Sequence, residues 1–158
     1  MVNIVIEVSK YLLILLIAAY TYWNFSYFRF RDPWQQGRVC VRQNVAMFLL
    51  HFVAYAVLFL KSEDERVILF YLAQVVFLAV YLGLYKVFYP LRSRLLVNNM
   101  CMLLCIGFVI LTRLDFDKAL RQFVIVAVSA LITWIIPFIL ERVWQLANIP
   151  WVYGFAGL

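Results

Sequence analysis

The sequence predicts an all-α fold, a polytopic transmembrane helical bundle, and three observations carry that prediction. The chain is 67% hydrophobic and 14% charged, with a mean hydropathy of +0.93, whereas a soluble domain is about half apolar and about 25% charged. Its charges divide it into five neutral stretches, 11–28, 43–60, 67–85, 95–112 and 122–140, each 18 or 19 residues long, with another from 143 to the last residue. None of these shows the period-2 alternation of a barrel strand, so helices are the spanning elements. At ~1.5 Å per residue each stretch covers about 27 Å, close to the ~30 Å hydrocarbon core. The expectation is five complete spans plus the start of a sixth.

The first span lies in VNIVIEVSKYLLILLIAAYTYW. It is not a signal peptide, because Glu7 precedes its only lysine and aromatics follow Ala18 and Ala19 where a small-residue cleavage site belongs. The second span carries the single histidine, His51, midway along its length. A satisfied histidine facing neighbouring helices is the plain reading, a proton relay the rarer one. In the third span Gln74 reads as an interhelical hydrogen-bond partner. In the fourth, Cys101 and Cys105 sit one helical turn apart, as small packing residues do, and with Cys40 they make neither a disulfide framework nor a metal-type CxxC. Pro137 is expected to bend the fifth span.

Orientation follows from the basic residues of alternate loops, since Lys and Arg in short loops stay on the cytoplasmic side. One side holds eight, Arg29, Arg31, Arg38, Arg42, Lys86, Arg92, Arg94 and Arg142, against two acids, Asp32 and Glu141. The other holds six, Lys10, Lys61, Arg66, Arg113, Lys118 and Arg121, balanced by six acids. The N-terminus is therefore expected outside. Tyr22, Trp23, Trp34, Tyr85, Tyr89, Trp144 and Trp151 then fall near the inner interface. The net charge of +6 comes from these short loops and forms no long basic surface, so nucleic acid is not an expected partner and the lipid bilayer is.

Two parts are distinguishable: residues 1–90, with three spans, and residues 91–158, where the pattern becomes span, short charged turn, return span. That turn, TRLDFDKALRQF at 112–123, concentrates Arg113, Asp115, Asp117, Lys118 and Arg121. On spacing alone it reads as a solvated turn whose acids favour the N-terminus of the fifth helix. Asp115 and Asp117 have no metal-ligand companions, and there is no Walker loop, GxSxG or HExxH.

The second part resembles the opening of the SEDS family, the RodA, FtsW and SpoVE proteins of bacterial shape, elongation, division and sporulation. The resemblance lies in LLCIGFVILTRLDFDKALRQFVIVAVSALITWIIPFIL, residues 103–140, where a glycine-containing span leads into R-L-D and then Arg121-Gln122; LERVWQLANIPWVYGFAGL follows as an inner loop and the start of a further span. Residues 1–90 resemble, less closely, the three-span extension of some Gram-positive members. The resemblance implies a multi-pass protein of the bacterial plasma membrane. It implies a peptidoglycan glycosyltransferase that polymerises lipid II with a class B penicillin-binding protein as partner. That reaction calls for a carboxylate base, and for cationic groups or a divalent cation at the departing diphosphate. In the family the base lies in a later external loop, so this chain is expected to be an N-terminal piece with no catalytic residue, metal or cofactor of its own. Arg113, Asp115, Arg121 and Gln122 are the residues expected to contact substrate or that loop. Two other classes remain: a non-catalytic docking module of a division complex, using small residues such as Ala54, Ala56, Ala79 and Gly83 for close helix approach, and a lipid flippase or transporter.

Overall fold

A computed structural model of the chain describes residues 2–89 and 93–142, with side chains for 4–89 and 93–135. Five helices follow one another: α1 (Val2–Arg29), α2 (Pro33–Ser62), α3 (Glu65–Phe88), α4 (Arg94–Leu114) and α5 (Phe116–Arg142). All five are long and apolar enough to cross a membrane. Each neutral stretch expected to span lies inside one helix. The stretch from 143 onward, with Trp144 and Trp151, lies outside the described residues.

Helices outrun the neutral stretches because their starts are set by caps rather than by the edge of the apolar run. α2 begins at Pro33, ten positions before its neutral stretch. Asp32 caps it, accepting from the Trp34 N–H at 3.1 Å, and proline suits the first helical position because its missing N–H would have no partner there. Asp64 likewise caps α3 through the Arg66 N–H (2.9 Å), and Ser93 caps α4 through the Leu96 N–H (3.5 Å). Only Glu63 and Asp64 join α2 to α3. Glu63 makes that turn at φ 51°, where its N–H reaches the Phe59 carbonyl at 2.9 Å.

The chain divides into two compact units at Arg121–Gln122. In the first, α2 is central and packs on α1, α3 and α4. Buried positions on α4 fall at Asn98, Cys101, Cys105 and Phe108, a 3-4-3 spacing that keeps one seam on its neighbours. Met47, Leu78, Cys101 and Cys105 are wholly buried, so the two span cysteines are packing residues, as expected. The outward face is apolar as well. Ile14, Leu15, Leu69 and Leu103 are each more than 60% exposed, which suits lipid and not water.

Consecutive helices α1 to α4 alternate in direction. Lys10, Lys61, Val67 and Arg113 meet at one end, here the Lys61 end, and Gly37, Lys86 and Arg94 meet at the other, the Arg94 end. This alternation is what crossing a bilayer with short loops requires.

Candidate functional site

At the Lys61 end a cavity of about 480 Å³ opens between α1, α2 and α4, with Val67 of α3 also lining it, within the range of ligand sites, ~300–1,000 Å³. Its walls are helical stripes. α1 supplies Ile6, Ser9, Lys10 and Leu13, and α2 supplies Ala54, Val57, Leu58 and Lys61. Both sets fall at i, i+3, i+4 and i+7, one helix face each. From α4 come Val109, Thr112 and Arg113 at i, i+3 and i+4. Apolar side chains form most of the wall, and each stripe carries one cation, Lys10, Lys61 or Arg113.

Lys10 already has an anion, since its Nζ lies 2.6 Å from Glu7 Oε1. Among the described residues, Lys61 and Arg113 form no ion pair. The cavity therefore offers two uncompensated cations above an apolar slot, a pattern that fits an anionic headgroup carrying a hydrocarbon chain.

Thr112 links the cavity to the buried core. Its Oγ1 lies 2.8 Å from Tyr55 Oη and donates to the Phe108 carbonyl at 2.7 Å, while Tyr55 Oη donates to Gln74 Oε1 at 3.0 Å. Gln74 is thus the interhelical partner its sequence position suggested, tying α3 to α2. Two hydroxyl protons serve these three contacts. Turning the Gln74 amide end for end satisfies all three, with Gln74 donating to Tyr55, Tyr55 to Thr112 and Thr112 to the carbonyl.

His51 lies next to this relay without joining it. It is fully buried, with its ring 4.8 Å from that of Tyr55 and 5.3 Å from that of Tyr71. It faces protein, as expected, but neither ring nitrogen has a hydrogen-bond partner among the described residues. The expectation of a satisfied histidine is not met among the described residues: Tyr55, whose ring packs on it, directs its hydroxyl to Gln74 and Thr112.

The charged turn 112–123 separates into two jobs. Thr112 and Arg113 face the cavity. Asp115 joins helices instead: its N–H caps α4 on the Leu111 carbonyl (2.8 Å) and its carbonyl accepts from Ala119 N–H (3.0 Å). Its Oδ1 accepts from Lys118 N–H at 3.1 Å, and Lys118 Nζ lies 3.2 Å from its Oδ2. The Lys118 backbone hydrogen bond, with the Lys118 side chain, holds the Asp115 carboxyl below the usual carboxylate range. Arg121 and Gln122 are exposed on α5 and line none of the cavities described. Of the four expected contact residues, then, Arg113 reaches the cavity, Asp115 is a cap, and Arg121 and Gln122 fall on either side of the unit boundary.

Lys10 and Lys61 were not singled out from sequence. The available signal was that Lys61 ends an apolar stripe (Ala54, Val57, Leu58) and Lys10 interrupts the stripe from Ile6 to Leu13, but their meeting with Arg113 depends on tertiary packing. Ala54 does pack inside the bundle, whereas Ala79 and Gly83 are exposed, and a Cβ added at Gly83 would meet nothing within 4 Å. Among the described residues no cluster of His, Cys, Asp or Glu could hold a metal ion. Compared with known proteins, the chain matches no family model, no curated protein and no solved structure.

Proposed function

We propose that this chain is the N-terminal membrane part of a SEDS-like peptidoglycan glycosyltransferase of the bacterial plasma membrane, with its N-terminus outside. In this reading the Lys61-end cavity receives the diphosphate of an undecaprenyl-linked substrate such as lipid II. The observation that carries the reading is the convergence of Lys10, Lys61 and Arg113 on one apolar cleft. A polyprenyl diphosphate needs that combination, with cations at the membrane surface for the phosphates and a lipid-accessible apolar wall for the first isoprene units. The Arg113 guanidinium suits it best, as a fork of donors matched to phosphate oxygens. On this reading, which rests on the resemblance at 103–140, the lipid is lipid II and the parent's reaction is its polymerisation. The parent's base, any divalent cation it uses and its contact with a class B penicillin-binding protein belong to sequence beyond this chain.

Binding is the part of this function that the chain performs alone. Purified in nanodiscs, it is expected to bind lipid II and to lack polymerising activity. Lys10→Gln/Lys61→Gln/Arg113→Gln is expected to weaken binding by tenfold or more, about 1.4 kcal/mol or above. Equal affinity in parent and triple variant overturns the site, and glycan polymerised by this chain alone overturns the division of labour.

A further inference from the structure

A second set of cations at the Arg94 end lies outside that reading. Arg38, Arg42 and Arg94 line one cavity of about 400 Å³ together with Trp34 and Gly37. An adjoining cavity of about 230 Å³ shares Gly37, Val41 and Arg94 with it and adds Lys86. No acidic residue lines either one. Among the described residues none of these four cations forms an ion pair, and Asp32, the nearest acid in sequence to Arg38 and Arg42, caps α2 through its Oδ1.

The arrangement is built, not incidental. Arg38 is held with its guanidinium carbon 4.8 Å from the Trp34 ring centroid, a cation–π contact that fixes its direction. Arg94, from a different helix, brings Nη1 to 3.4 Å from where a Cβ at position 37 would stand, contact distance, so a side chain larger than alanine there would press on the guanidinium. Gathering like charges without a counterion is unfavourable. An anion between them removes that cost.

From the same place an apolar groove leads away from the charged end. Val41 lines both cavities and also begins a shallow groove of about 470 Å³ formed by Val41, Val45, Phe48, Leu49 and Phe52, with Asn44 as its one polar side chain, on one face of α2. Val41, Val45 and Phe52 are each more than half exposed. From residue 41 to residue 52 the helix advances about 16 Å, close to the ~15 Å half-thickness of the hydrocarbon core. A phosphate site at the interface thus continues into a furrow as long as one leaflet.

We propose that the Arg94 end binds one anionic phospholipid, its phosphodiester held by Arg38, Arg42 and Arg94 and one acyl chain lying along the α2 groove from Val41 to Phe52. A free phosphate compound would use the arginines but not the groove. The site stands whichever way the chain faces, and it does not depend on the proposed function.

The test uses the whole chain in vesicles of phosphatidylcholine mixed with phosphatidylglycerol, with lipids retained after gentle detergent extraction counted by native mass spectrometry. Phosphatidylglycerol should be enriched over its share of the bilayer. Arg42→Gln/Arg94→Gln should cut that enrichment roughly tenfold, as two interfacial cations would. Gly37→Leu, which favours the helix but displaces Arg94, should lower it as well. Melting in phosphatidylcholine alone checks the fold: the double variant should melt no lower than the parent, because a like-charge cluster has been relieved, and should lose the rise in Tm that phosphatidylglycerol gives the parent. Unenriched phosphatidylglycerol, or enrichment unchanged in both variants, overturns the proposal. Displacement of the lipid by equimolar glycerol phosphate overturns the acyl-chain part and leaves a simple phosphate site.

Discussion

The two ends of the first unit differ in how their charges are compensated. At the Lys61 end acids and bases alternate closely: Lys10 pairs with Glu7 and Lys118 with Asp115, and Asp64 caps α3. At the Arg94 end Arg38, Arg42, Lys86 and Arg94 face cavities with no acid in their walls. Lys and Arg in short loops favour the cytoplasmic side, and a cationic cluster placed there attracts the anionic lipids of that leaflet. The difference is that the Arg94 end, the cytoplasmic one in the proposed orientation, holds cations with no acid in the cavity walls, while the Lys61 end pairs Lys10 and Lys118 and leaves Lys61 and Arg113 without an ion pair among the described residues.

The same contrast runs through the buried polar layers. Near the Arg94 end Asn98 Nδ2 donates to the Cys40 carbonyl at 3.0 Å and to Gln43 Oε1 at 3.1 Å, locking α4 to α2. Asn98→Ala should therefore give the largest loss of stability, about 2 kcal/mol, from two lost interhelical bonds plus a small cavity. Unfolding in mixed micelles measures it. Nearer the Lys61 end Tyr55→Phe removes one hydroxyl and should cost about 1 kcal/mol. A Tyr55 effect exceeding that of Asn98 would reverse the ranking of the two layers.

His51→Leu sharpens the comparison from the other side. Because neither ring nitrogen is bonded among the described residues, an apolar side chain of similar size should be neutral or stabilise by about 1 kcal/mol. A loss of 2 kcal/mol or more in the same unfolding assay would mean that His51 has a partner this packing does not provide.

Smaller effects belong to the turns. Glu63 holds a left-handed backbone at φ 51°, so Glu63→Gly should stabilise by up to about 1 kcal/mol, relief of strain less the entropy of the freer unfolded chain. For Asp115 the sign follows from its lowered carboxyl. The cap is fully present above the ordinary value of 3.8 and is lost as pH falls through the lower folded-state value. Asp115→Asn should remove that acid-dependent component of the melting curve and leave the rest of the pH profile in place.

Much of this was legible along the chain. Charges mark where apolar segments stop, so all five helices could be placed from the neutral runs, and the buried Gln74 and span cysteines followed from their positions within them. Helix starts were less legible, because the start of α2 depends on an Asp-Pro cap lying in charged sequence. Arg113 stood out as one of a dense group, but its neighbours in the cavity come from residues 10 and 61, a convergence that no one-dimensional pattern records. Arg121 and Gln122 are near Arg113 in sequence yet stand beyond it on α5. Burial of Cys40, only 5% exposed, was also not readable from its place between two arginines, and it rules that thiol out as a reporter of sidedness.

Exposed positions make better reporters, and they test most directly the proposed orientation, with the basic Arg94 end inside and the N-terminus outside. With Cys40, Cys101 and Cys105 replaced by alanine, Gln35→Cys places one thiol at the Arg94 end and Glu65→Cys places one at the Lys61 end, both at exposed sites. A membrane-impermeant maleimide should label Glu65→Cys in intact cells and Gln35→Cys only after the membrane is opened. Labelling of Gln35→Cys in intact cells, with Glu65→Cys protected, would contradict the account, because it would place the uncompensated arginines outside and the proposed diphosphate cavity inside.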